Sequence, residues 1–418
     1  MKIRLSNSLC MLVAFAGLCL MRSGARCAEP TLEKPFIEKI DLFEAGRLGY
    51  STYHIPGIAV TAKGTVLAWC EARRKRSDWD SIDILLRRST DDGKTWSEAQ
   101  KIADVPGPKT KNPLALKLKN VNPEDITYNN PVLIPDRDGK VHALFCLEYM
   151  RCFYMRSSDD AATWSTPVEI TGTFEKFRSA YDWKVLATGP DHGIQLRSGR
   201  LIVPVWLSTG TGGNAHRPSV TATIYSDDQG RSWQAGDIAI PCTDEWINPN
   251  ETVAIELADG RVMLNTRSES KANRRLVTIG RDGATGWDTP KFDDALLEPI
   301  CMGSIVRLSM KPGADKNRIL FCNPDNLSRA DGKEAPGKSR DRKNVSVKLS
   351  YDEGETWPVN KSVEPLWSAY SDIAVSPRGT ILCFYGRSEK QDFAGDRLTL
   401  ARFNLPWLTD GKDALGAK

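Results

Sequence analysis

Ser89-Thr90-Asp91-Asp92-Gly93-Lys94-Thr95-Trp96 sets a carboxylate, a glycine and a tryptophan at fixed intervals within eight residues. The same pattern, S-x-D-x-G-x-T-W, returns as Ser350-Tyr-Asp352-Glu-Gly354-Glu-Thr356-Trp357. Ser226-Asp-Asp228-Gln-Gly230-Arg-Ser232-Trp233 carries Ser for Thr, and Ser157-Ser-Asp159-Asp-Ala161-Ala-Thr163-Trp164 carries Ala for Gly. A degenerate copy runs from Gly280 through Asp282 to Trp287. The starts are 68, 69, 54 and 70 residues apart, a period that belongs to propellers and repeat arrays. The chemistry of each unit is structural. Asp and Gly close a tight turn, with the carboxylate bonding local amides, and the Trp covers the seam between neighbouring sheets.

Between the repeats lie short runs rich in β-branched and apolar residues, such as Leu201–Leu207, Thr221–Tyr225, Val262–Thr266 and Val345–Leu349. Asp-Gly, Pro-Gly and Arg-Gly pairs punctuate them. No long amphipathic pattern appears. The reading is an all-β protein, a single six-bladed β-propeller over residues 36–408 with roughly 62 residues for each four-stranded blade. Residues 105–128 read as a polar insertion over one face, and 409–418 as a flexible tail.

Lys and Arg number 57 against 53 Asp and Glu, a formal charge of +4. Lys2, Arg4, Arg22 and Arg26 fall within residues 1–27, which hold no acid, so the remainder is balanced at 53 against 53. A balanced body argues against a nucleic-acid partner, which demands a basic excess. The basic start, the apolar run Leu9–Met21 and the small residues Ala25 and Cys27 before Ala28 form a secretory signal layout. The run is too short for a comfortable membrane span. The expected destination is secreted or periplasmic. Seven of the ten Cys lie beyond that segment, scattered and odd in number, which is no disulfide framework; Cys146 and Cys152 remain a candidate pair across a hairpin. Four His and no CxxC or HExxH give no support for a metal or other cofactor.

The repeats are similar to the Asp boxes of the sialidase (neuraminidase) superfamily, and the chain resembles its bacterial exo-sialidases in further motifs. The family's Arg-Ile-Pro motif is matched by His54-Ile55-Pro56, and its acid/base Asp, 24 residues on, by Asp78. Arg73 matches a second family Arg. Asn250-Glu251 and Arg267, 16 residues apart, match the Glu that activates the nucleophile and a substrate-binding Arg; Arg342 matches a further Arg, and Tyr370-Ser371-Asp372 the nucleophile motif. Gly189-Pro190-Asp191-His192-Gly193 resembles a rim segment, with Asp191 where Gly is usual.

The resemblance implies an exo-α-sialidase acting on sialylated glycoconjugates or a related 2-keto-3-deoxy sugar acid. The anomeric carboxylate of such a sugar repels a carboxylate nucleophile, and a neutral Tyr avoids this. Glu251 then takes the Tyr370 proton and Asp78 serves the leaving oxygen and the water. Arg267, Arg342 and Arg73 are expected to bind substrate, with His54, Asp191 and His192 contributing. Two departures stand out. His54 replaces the first Arg of the family's triad, and Gly386 fills the slot of the Glu that supports it. Loss of both removes an otherwise unpaired charge. If His54 faces the substrate carboxylate, its pKa is expected to rise. The rival reading is a catalytically silent glycan-binding propeller.

Overall fold

The computed structural model describes residues 34–390 and 395–416. The expected signal segment lies outside them. The fold is all-β and propeller-like. Among the described residues the single α-helix is the four-residue turn Leu405–Leu408. No helix there is long and apolar enough to cross a membrane.

Each repeat unit closes as its residue types require. Asp91 accepts from the Thr95 amide at 2.9 Å and the Thr95 hydroxyl at 2.6 Å, while the Gly93 amide donates to Ser89 Oγ at 2.9 Å. Asp159, Asp228 and Asp352 repeat the contacts to the residue four positions on. With their carboxylates bonded this way, Asp91, Asp159, Asp228 and Asp352 all titrate below the usual carboxylate range. The turn needs a positive φ, +81° at Gly93, +78° at Gly230 and +93° at Gly354. Ala161 adopts +62° in the unit that lacks glycine, a strained choice for an L side chain. The tryptophans pack as expected: Trp233 meets Tyr154 of the preceding sheet at 5.6 Å between ring centroids.

Among the described residues, hydrogen bonding links the strands into five sheets. Three are built from consecutive antiparallel strands on the pattern of Thr52–Val60, Val66–Arg73 and Ile82–Ser89, or add a short strand to it. The largest holds seven strands because one 17-residue strand, Val359–Val375, pairs with Lys343–Ser350 along its first half and with Ile381–Arg387 along its second. It also contains the first and last strands among the described residues, Ile37–Glu44 and Arg397–Phe403, zipped antiparallel. The apolar cores lie between sheets. One joins Leu144 and Val132 to Val203 and Ile224, and another joins Met263 and Ile255 to Phe321 and Tyr370.

The expected flexible tail is instead docked over its described part. Arg318, whose side chain is wholly buried, donates to both oxygens of Asp413 at 2.8 Å, and the Tyr351 hydroxyl donates to the same carboxylate. A buried guanidinium demands that partner. Cys146 and Cys152 are directly opposed in register, yet both remain free thiols, as do the other five described cysteines.

Candidate active site

The 16-residue interval between Glu251 and Arg267 is a hairpin. Thr252–Glu256 pairs with Val262–Thr266, Thr252 lying opposite Thr266. One step further the Arg267 amide donates to the Glu251 carbonyl at 2.9 Å. The two side chains therefore leave the strand ends side by side, and Arg267 Nη1 donates to the Glu251 carboxylate. Tyr370 rises from the long shared strand, its hydroxyl donating to Glu251 Oε1 at 2.6 Å and receiving Arg267 Nη1 at 2.6 Å. Arg342 opposes this strand, since the Ser368 amide donates to its carbonyl at 3.1 Å. Its guanidinium donates to the Ile300 carbonyl and lies 5.2 Å from the Tyr370 ring centre.

His54 reaches the same place by a bulge. The register of Thr52–Val60 against Val66–Arg73 shifts between His54 and Gly57, and Ile55 takes φ +54°. Such a conformation is costly for a β-branched residue, and bulges re-aim side chains at functional sites. The His54 ring lies 4.4 Å from that of Tyr370.

Arg73 and Asp78 complete the cleft. Arg73 is 2% exposed and paired with two carboxylates: Nε and Nη2 donate to Glu71 Oε2 at 3.0 and 2.6 Å, and Nη1 donates to Asp78 Oδ1 at 2.7 Å. Glu71 is itself wholly buried, its other oxygen accepting the Asn130 amide at 2.8 Å. Arg73 thus holds Asp78 in place at the wall of the cleft.

These residues line one cleft of about 200 Å³ together with Tyr149, Trp206, Asn214, His216, Arg217 and Glu269. A larger hollow of about 860 Å³, with Arg137, Arg197 and Arg200, lies elsewhere. There Arg197 pairs with Glu256 and Arg200 with Asp227 and Asp282, so its charge is already answered.

Burial raises the Tyr370 hydroxyl well above its ordinary pKa, against the lowering pull of Arg267. The phenol is therefore neutral, and its proton has a carboxylate waiting at 2.6 Å. Burial also pushes Asp78 up, but Arg73 outweighs it and brings the carboxyl down to about 2; at 42% side-chain exposure solvent softens that pull. His54 is pushed well below its ordinary value by burial and by Arg73 and Arg342. Burial first, and then these cations, therefore favour the neutral ring in the free protein.

Asp191 and His192 do not belong to this cleft. They pair in parallel with Val132 and Leu133, which carries them into the interior behind the Glu251 hairpin, where the Thr252 amide donates to the Gly189 carbonyl at 3.3 Å. His192 Nδ1 bonds Asp372 Oδ1 at 2.8 Å, and its ring borders a separate groove with Ile255 and Ile305. Asp191 is wholly buried, and neither carboxylate oxygen has a hydrogen-bond partner among the described residues. Gly386 lies opposite Leu398 in the sheet that bears Tyr370.

Sequence reasoning missed Glu71, Tyr149, Trp206, His216 and Arg217. Glu71 was within reach, because residues two apart on a strand share a face. The others come from a strand (Trp206) and from loops, which only the packing of the sheets brings together.

The all-β, propeller-like arrangement of sheets thus sets a tyrosine, held by a carboxylate and flanked by guanidiniums, at its strand ends. Residues 64–383 match the BNR repeat-like domain family, and the chain belongs to this sialidase (BNR-repeat) superfamily. It is 30% identical over 411 residues to a sialidase of Micromonospora viridifaciens, covering 94% of this chain and 58% of that protein. A sialidase of Bacteroides fragilis (strain YCH46) is 26% identical over 339 residues, covering 75% and 55%. The chain thus spans less than two thirds of either relative. Among solved structures, Hadza microbial sialidase Hz136 superposes with a TM-score of 0.69 at 22% identity, covering 88% of this chain and 69% of that one, a likeness of fold.

Proposed function

We propose that the protein is an exo-α-sialidase that removes a terminal sialic acid, or a related 2-keto-3-deoxy sugar acid, from glycoconjugates with retention of configuration. The observation that carries the reading is the Tyr370 hydroxyl, 2.6 Å from Glu251 Oε1 and 2.6 Å from Arg267 Nη1, facing Asp78 across one cleft. Tyr370 attacks the anomeric carbon as Glu251 takes its proton. Asp78 serves the leaving-group side and then deprotonates the water that releases the sugar. Arg267 and Arg342 neutralise the substrate carboxylate. His54, a neutral ring against Tyr370, leaves the clamp one guanidinium short of the family pattern. The seven-stranded sheet reads as two four-stranded blades sharing Val359–Val375, which makes the ring six-bladed. Export to a secreted or periplasmic location is supported by the layout of residues 1–27.

A fluorogenic sialoside assay tests the reading. Turnover by the wild type, abolished in Tyr370→Phe with the fold intact, is expected. Sialoside binding without turnover in both proteins favours the silent glycan-binding propeller instead.

A further inference from the structure

We propose that Arg275 and Glu298, an ion pair buried behind the cleft, are the positioning residues of its carboxylate clamp. They hold the segment 298–301 and the strand end that carries Arg267, so that Arg267 and Arg342 converge on one anion. The inference rests on the sialidase reading and deepens it, because it assigns the aim of the clamp to residues outside the cleft.

Glu298 follows the strand Lys291–Leu297 and lies opposite Asn273, whose carbonyl accepts the Glu298 amide at 3.0 Å. Arg275 lies on the paired strand Arg274–Gly280. The two side chains are 0% and 1% exposed, and Arg275 Nη1 donates to Glu298 Oε2 at 2.7 Å. Glu298 Oε1 accepts the Cys301 amide at 2.8 Å, and Arg275 Nη1 donates to the Cys301 carbonyl at 3.1 Å. The pair thus ties both backbone groups of Cys301 to the start of the segment. Between them Ile300 takes φ +66°. That is costly for a β-branched residue and persists only where surrounding bonds enforce it. The carbonyls so presented serve the stretch of chain that ends in Arg342. That of Pro299 accepts the Arg340 amide at 3.1 Å, and that of Ile300 accepts Arg342 Nη2 at 2.8 Å.

Arg275 reaches the other half of the clamp as well. Its Nε donates to Asn265 Oδ1 at 2.7 Å and its Nη2 to the Asn265 carbonyl at 3.1 Å. Asn265 belongs to Val262–Thr266, the strand that ends beside Arg267. One guanidinium therefore joins the backbone behind Arg267 to the backbone that receives Arg342. The charge of Glu298 also acts on Arg267. Cys301 packs in one apolar cluster with Tyr370 and Ile55, which sets the segment against the nucleophile.

A buried ion pair is weak evidence of stabilisation, since apolar residues of similar volume often replace it without loss. Apolar residues cannot supply the directed bonds to Cys301 and Asn265, whereas a planar guanidinium with donors on three nitrogens can. The demand is high in this chain, because His54 stands where the family has its first clamp arginine. Two guanidiniums remain, and their aim sets the affinity for the carboxylate.

The test compares an anion with its neutral ester. Binding of 2,3-didehydro-2-deoxysialic acid and of its methyl ester is measured by calorimetry, together with the melting temperature of each protein. The proteins are wild type, Glu298→Gln, and Arg275→Met combined with Glu298→Leu. The double variant removes both charges together, so its folding does not depend on a buried charge left alone. Wild type is expected to prefer the acid. Both variants are expected to bind the acid about 10- to 100-fold more weakly, the scale of a small misplacement, and the ester within about 3-fold of wild type. A folded variant that keeps the full preference for the acid overturns the proposal, as does equal weakening of acid and ester. A wild type that binds neither ligand, or both alike, overturns the sialidase reading itself and this inference with it.

Discussion

Replacing Asp191 by Asn tests where that carboxyl sits. Asp191 is wholly buried at φ +76°, both oxygens lack hydrogen-bond partners among the described residues, and Asp372, already bonded to Ile58, His192 and Ser304, lies near it. Burial first, then the charge of Asp372, pushes its pKa well above the ordinary carboxylate value. The folded state therefore holds a proton that the unfolded chain releases near pH 4. This group's contribution to stability is fully present below that pH and is lost as pH rises towards the folded pKa. The loss is about 1.4 kcal/mol per pH unit over that interval. Asn is nearly isosteric and does not titrate, so the advantage of Asp191→Asn over wild type is expected to grow with pH. Urea unfolding of both proteins between pH 4.5 and 7.5 measures it. Catalysis supplies the second readout: KM should be unchanged, because Asp191 lies behind the cleft. Parallel stability curves, or a KM raised tenfold, refute the placement.

Glu251→Gln removes the acceptor of the Tyr370 proton, and kcat is expected to fall by about 10² to 10⁴ while inhibitor binding, measured calorimetrically, persists. In Gly230→Ala the new Cβ would meet the Tyr154 hydroxyl at 2.2 Å at a position with φ +78°. Strain and overpacking together should cost roughly 2–4 kcal/mol in denaturant titration. Asp413→Asn leaves the buried Arg318 with only Asp315, 48% exposed, as an acidic partner. The expected loss is about 2–3 kcal/mol, read as a lower unfolding midpoint, whereas no change would mean that residues 409–416 contribute nothing to the fold.

The repeat units carried most of the architecture because each is a local device. Asp91 and Gly93 form their turn with neighbours four residues away, so the signal survives in a linear reading. The pairing of Glu251 with Arg267 was legible for the same reason, since a hairpin converts an interval into a contact. The docking of Asp413 was not legible because its partner, Arg318, lies 95 residues earlier. The inward course of Asp191 and His192 comes from their short parallel pairing with Val132 and Leu133, and nothing local in Gly-Pro-Asp-His-Gly gives that direction. His216 was invisible because its cage draws on Trp79, Tyr149 and Trp206 from three separate stretches of chain. The contacts that Arg73 makes with Glu71 and Asp78 were not legible, since they depend on how the strand end turns back beside it.

The central claim is that Tyr370 becomes covalently attached to the sugar. Incubation with 2,3-difluorosialic acid followed by peptide mass spectrometry tests it most directly. A single adduct on the peptide containing Tyr370, absent in Tyr370→Phe, is the predicted result. No adduct from a protein that turns over sialosides, or an adduct on Glu251 or Asp78, would contradict it.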